Sequence, residues 1–198
     1  LKFSIMVNPI LSIALFASYR IGSKMPTTGI TTSCAAASSS SLLPPLLDIN
    51  GAEMTPSDTN ERLQNKRVAF YFAAGWCPMC TSFEPALMQF REAASQSGKP
   101  VEIVYVGSDR SESDQAKRAE GMEMMSIPFD GAAALKQKYN VWAGSETLKF
   151  GFGRRSGVPA LVVLDQKGEE MAFVAAESQG VRSLDTWPVD DESGVWGV

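Results

Sequence analysis

The chain has 198 residues, a formal charge of −4, three cysteines and no histidine. That length allows one domain of ordinary size plus extensions. The composition rules out histidine-based catalysis and most metal sites, and leaves too few cysteines for a structural disulfide framework. Lys2, Arg20 and Lys24 are the only charges before Asp48, so the remainder carries 15 basic and 22 acidic residues, or −7. An acidic body of this kind argues against general nucleic-acid binding. No segment reaches the roughly 18 consecutive apolar residues of a membrane span.

Residues 1–45 read as a targeting or disordered leader. Ile10 to Ala17 is an apolar run of signal-peptide length, set between Lys2 and Arg20. Ser23 to Ser41 is rich in Ser, Thr and Ala and lacks acidic residues, as organelle transit peptides do. Organelle or secretory targeting is therefore expected. Translation from Met25 would delete the apolar run and leave a cytoplasmic product. Cys34 in this stretch is expected to be an unpaired passenger.

Pro44-Pro45 marks the start of a domain expected over 46–187. Leu46 to Ile49 could form a short edge strand, and Ser57 to Asn65 a turn of helix or a loop. Val68 to Ala73 is short and rich in aromatic residues, as a buried parallel strand is. After it comes Trp76-Cys77-Pro78-Met79-Cys80, and then a helical pattern from Pro78 to about Gln96 with Phe83, Leu87, Phe90 and Ala94 on one face. Pro78 suits the first helical turn, where its missing N–H costs nothing; Pro85 lies inside the pattern and should kink it.

Cys77 is thus placed at or just before a helix N-terminus. Unpaired N–H groups and the helix dipole there stabilise a negative sulfur. A free thiol ionises at about pH 8.5, and Cys-x-x-Cys helix starts lower this to roughly 3.5–7.5. The pattern makes Cys77 the nucleophile in thiol–disulfide exchange and Cys80 the resolving thiol. The rival meanings of the motif fit poorly. A structural zinc site usually needs four Cys or His ligands, and covalent haem needs a histidine where Thr81 stands. No metal and no cofactor are expected.

The run Tyr71-Phe72-Ala73-Ala74-Gly75-Trp76-Cys77-Pro78-Met79-Cys80 resembles the thioredoxin superfamily, and within it the tryparedoxin and nucleoredoxin branch. The resemblance extends from about Leu46 to Trp187. It implies an α/β fold with a mixed central sheet and helices on both faces. It implies that Trp76 shields the motif, that Pro78 and Met79 tune it, and that all three border the substrate. Ordinary thioredoxins have a buried aspartate where this chain has Tyr71, so the proton acceptor for Cys80 would be water or another carboxylate.

Val101 to Val106 reads as the next strand. Ser111 or Ser113 should cap the helix after it, and Asp109 and Arg110 are weaker candidates for partner contact. Pro128-Phe129 matches the branch, but Met124 stands where a surface tryptophan is common, and core filling is its expected role. Gly131 to Asn140 reads as a helix. Trp142 to Ser156 looks inserted, contains Gly144, Gly151 and Gly153, and is too Gly-rich for a regular element. It is expected to form a flap beside the active site or a solvated loop.

Gly157-Val158-Pro159 then precedes the strand Ala160 to Leu164. The resemblance implies a cis-proline at Pro159 facing the motif, with the Val158 backbone pairing with an extended substrate segment. Asp165 to Gly168 is a turn, Glu170 to Ala175 an antiparallel return strand, and Ser178 to Leu184 a short helix. The acidic end, 188–198, reads as a loosely packed tail.

The expected function is a protein-disulfide reductase using the Cys77/Cys80 dithiol. Its partners would be protein disulfides and an upstream dithiol or reductase, and it would act as a monomer with no stable membrane span and no nucleic acid. A redox-gated binding module with little turnover is the alternative.

Overall fold

Two seven-residue strands of almost wholly apolar sequence form the middle of a sheet, and every residue in both is buried. A strand buried on both faces must be covered by other elements on both sides, and the rest of the chain supplies them. The computed structural model describes residues 42–197; the leader up to residue 41, with its apolar run and Cys34, lies outside the described residues. In chain order the elements are α1 (Pro56–Leu63), β1 (Arg67–Ala73), α2 (Pro78–Gln96), β2 (Val101–Gly107), α3 (Glu112–Gly121) and β3 (Met125–Ser126). Then follow α4 (Ala132–Tyr139), the short α5 (Thr147–Phe150), β4 (Ala160–Leu164), β5 (Glu170–Val174) and α6 (Ala176–Gln179).

The sheet order is β3-β2-β1-β4-β5. β1 runs parallel to β2 and antiparallel to β4, with Phe70 opposite Val104 on one side and Val162 on the other. Side chains alternate along a strand, so Tyr71 points to one face and Phe70 and Phe72 to the other. Tyr71 packs on Phe83 of α2 at 6.2 Å, whereas Phe70 and Phe72 each pack on Tyr139 of α4 at 6.1 Å. The fold is therefore α/β, a mixed sheet with helices on both faces. No described helix is long and apolar enough to cross a membrane.

Three segments outside 142–156 differ from expectation. Leu46 to Ile49 makes no strand; Leu47 forms single bridges to Ser126 and Glu53, because Asp48 turns the chain by accepting from Asn50 and Ala52 N–H groups. The helix expected from Ser178 begins at Ala176 and gives way to a 3₁₀ turn, Gly180–Thr186, where Gly180 takes φ 57°. The acidic end is packed, not loose. Trp187 and Trp196 are buried, Trp187 lies 5.1 Å from the Phe90 ring, and Trp196 exchanges backbone hydrogen bonds with Asn65 and Lys66. Trp196 within that segment and Trp187 at its border are enough to bring it onto α2 and the sheet.

Candidate active site

The site is built where β1 meets α2. Cys77 is the N-cap of α2 in an extended conformation, with Pro78 at N1 and no side-chain cap hydrogen bond. A cap residue without an oxygen side chain leaves the helix start free to face the sulfur. The turn before it is tied to the end of β2. Gly75 N–H donates to Asp109 Oδ1 at 2.7 Å, and Trp76 Nε1–H donates to the Ser108 carbonyl at 2.8 Å. The Arg110 guanidinium lies 5.9 Å from the Trp76 ring centre, within cation–π range.

The two sulfurs are both free thiols and differ in access. Cys77 retains 7% exposure and Cys80 none. Cys77 Sγ points at the Val158 carbonyl, 3.7 Å away, and the Val158–Pro159 peptide bond is cis. Trp76, Pro78 and Met79 are exposed around this narrow opening. On one side a groove of about 350 Å³ is lined by Pro78, Met79, Phe83, Glu177 and Val181. On the other, a cavity of about 430 Å³ lies against Trp76, Arg110 and Lys117. The structure thus brings Trp76, Cys77, Pro78, Met79, Cys80, Val158 and Pro159 to one place. Met124 is fully buried in the core, and Asp109 is turned inward, its other oxygen accepting from Tyr105 OH at 2.7 Å.

Beneath Cys80 lies a polar group that the sequence reading missed. Glu84 sits one turn on from Cys80, and side chains at this spacing lie about 5–6 Å apart at Cβ. Glu84 is buried, accepts from Tyr71 OH at 3.4 Å, and forms an ion pair with Arg118 of α3. Burial pushes the Cys80 thiol up strongly, its hydrogen bond to Cys77 adds to this, and a backbone hydrogen bond from Ala74 and the Arg118 charge oppose it. Tyr71 is likewise raised by burial first and by the nearby Cys80 second. The only hint in the sequence was an acidic residue, Glu84, within the apolar stripe between Phe83 and Leu87.

The 142–156 segment was expected to lack regular structure. It holds a 3₁₀ turn, Gly144–Glu146, followed by α5. Its ends are joined by a Val141–Ser156 bridge, and Trp142 is buried at its base, 5.6 Å from the Phe150 ring. Leu148 and Phe152, by contrast, are 97% and 90% exposed. Among the described residues, no group of three or more His, Cys, Asp or Glu side chains is placed to hold a metal ion.

Comparison with known proteins places this geometry among relatives. The family model described as Thioredoxin-like matches residues 65–170. Nucleoredoxin from Bos taurus is 30% identical over 125 residues, covering 63% of this chain and 25% of that protein, so the chain spans about a quarter of the length of this relative. Tryparedoxin I from Leishmania major aligns with a TM-score of 0.52 at 28% identity, covering 75% of this chain and 93% of that one. Tryparedoxin II in complex with glutathionylspermidine aligns with a TM-score of 0.54 at 22% identity, covering 74% and 90%.

Proposed function

The chain belongs to the thioredoxin-like family and is similar to nucleoredoxins and tryparedoxins, and on that premise we propose that it is a thiol–disulfide oxidoreductase that reduces protein disulfides. The observation that carries the reading is the placement of Cys77. It caps α2 at the surface opening with Val158 O at 3.7 Å, while Cys80 is wholly buried three residues further on.

In this reaction the Cys77 thiolate attacks one sulfur of a substrate disulfide, and the other sulfur leaves as a thiolate that takes up a proton. Cys80 then loses its proton and attacks Cys77 Sγ. The second substrate thiol departs, and a Cys77–Cys80 disulfide remains. The substrate gains two electrons and the dithiol loses them; an upstream dithiol or reductase restores it. The Val158 backbone and Pro159 dock an extended substrate segment, and Trp76, Pro78 and Met79 line the opening it meets. Because burial disfavours a Cys80 thiolate, the second step needs help with the proton. Arg118 supplies positive charge, and the buried Glu84 carboxylate, one helical turn from Cys80 and paired with that Arg118, is the acceptor we assign.

A redox-gated binding module is the second reading, favoured by the exposed Leu148 and Phe152 on the 142–156 segment. Turnover separates the two. With dithiothreitol as donor, the reductase should reduce insulin disulfides catalytically and lose this with Cys77→Ser. Stoichiometric trapping of a partner with no turnover would refute the reductase reading.

A further inference from the structure

The 142–156 segment touches the site at two places, and each touch is made by a charged side chain. On one side, Glu146 is held by three groups. Its Oε1 pairs with Lys136 Nζ at 2.6 Å; its Oε2 accepts from Ala143 N–H at 2.9 Å and from Ser108 Oγ–H at 2.7 Å. Ser108 is the residue whose carbonyl holds the Trp76 indole, and its own N–H donates to Ala73 at the end of β1. Glu146 therefore braces the ledge on which Trp76 rests.

On the other side, Arg154 donates from Nη1 to the Trp142 carbonyl at 3.1 Å and from Nη2 to Glu177 Oε1 at 3.2 Å. The second oxygen of Glu177 accepts from the Gly157 N–H and from Ser156 Oγ–H. Gly157 immediately precedes Val158, whose carbonyl faces Cys77. The approach is close: a Cβ at position 157 would lie 2.6 Å from Glu177 Cδ and 2.7 Å from Arg154 Nη1, so a larger residue there would displace both side chains from the Gly157 backbone. A planar guanidinium with forked donors suits this double task.

We propose that the 142–156 segment is the positioning device of the dithiol site, Glu146 bracing the Trp76 wall through Ser108 and Arg154 bracing the Val158 wall through Glu177. The proposal rests on the disulfide-exchange reading for its consequence, substrate docking, but not for its geometry. It replaces the expected flap with a segment closed at its base and fastened to both walls. Neither Glu146 nor Arg154 touches a sulfur; both act through other residues.

The test uses the full chain with Arg154→Met or Ser108→Ala. The first removes the Glu177 contact, and the second removes only the hydroxyl that Glu146 accepts. Hydrogen exchange read by NMR should speed up at the Gly157 amide in R154M, and at the Trp76 indole N–H in S108A, by about tenfold or more. Exchange in β1 should not change. With insulin as the probe disulfide, KM should rise by about tenfold in each variant while kcat stays within about twofold. Unchanged exchange at both positions would overturn the proposal. So would exchange that rises equally in β1, since that reports general loosening. A parent chain that reduces no disulfide would sink the reductase reading, and the exchange data would still decide whether the segment holds the two walls.

Discussion

Removing Arg118 should expose the cost of the buried carboxylate under Cys80. Glu84 keeps 9% of its side chain exposed and Arg118 26%. Taking one partner from a buried ion pair costs about 3–5 kcal/mol, because the other charge stays behind without compensation. Arg118 keeps a quarter of its side chain in water, so the lower end applies, and Arg118→Met should lose about 3 kcal/mol. For a domain of this size that is a fall in Tm of about 6–12 °C. Neutralising both partners removes the stranded charge, and Glu84→Gln keeps an acceptor for Tyr71 OH. The double variant should therefore return to within about 1 kcal/mol of the parent. Urea unfolding followed by tryptophan fluorescence measures all four proteins, with equal m-values required for the comparison. A double variant that loses the sum of the two single losses would refute the reasoning, since independent sites add and coupled ones do not. The same proteins separate stability from chemistry. The Arg118 charge favours the Cys80 thiolate against the effect of burial, so the double variant, though stable, should resolve the mixed disulfide more slowly than the parent in an acid-quench experiment.

Three further outcomes are expected. Cys80→Ser should form a mixed disulfide between Cys77 and a substrate thiol that persists on a non-reducing gel, while Cys77→Ser forms none; the opposite pattern would reverse the assigned order of attack. In the reduced protein, the folded chain keeps the Cys80 proton that the unfolded chain releases above about pH 8.5. That contribution to stability is fully present below this pH and is lost above it, by at most about 1.4 kcal/mol per pH unit. Cys80→Ser should flatten the fall between about pH 8.5 and 10, and identical slopes would contradict the burial of this thiol. Trp196→Ala should cost about 3–5 kcal/mol because the side chain is buried in the core; a loose tail would register less than about 0.5 kcal/mol.

The strand, the motif and its helix were legible in the sequence because each is specified locally. A run of apolar residues gives β1, a proline suited to N1 gives the start of α2 at Pro78, and the 3.6-residue apolar repeat carries that helix to Gln96, where the structure ends it. Cys77 and Cys80 follow from that register alone. What the tertiary structure decided involves partners far apart in the chain. Cys77 meets Val158 across 81 residues, Ser108 meets Glu146 across 38, and Glu84 meets Arg118 across 34. A hydrophobic pattern states which face of an element is buried, and does not state against what. A charged side chain in the sequence carries no sign of whether it will be solvated or drawn into a pair. Trp187 and Trp196 make the same point: acidic neighbours made the C-terminal segment read as tail, and the apolar surface available on α2 and the sheet made it core. The sequence by itself determined the place of Cys77 and Cys80 at a helix start and the elements that present them. The folded chain determined which carboxylate lies beneath Cys80 and which charges hold the walls around Cys77, because only packing brings those residues within reach of one another.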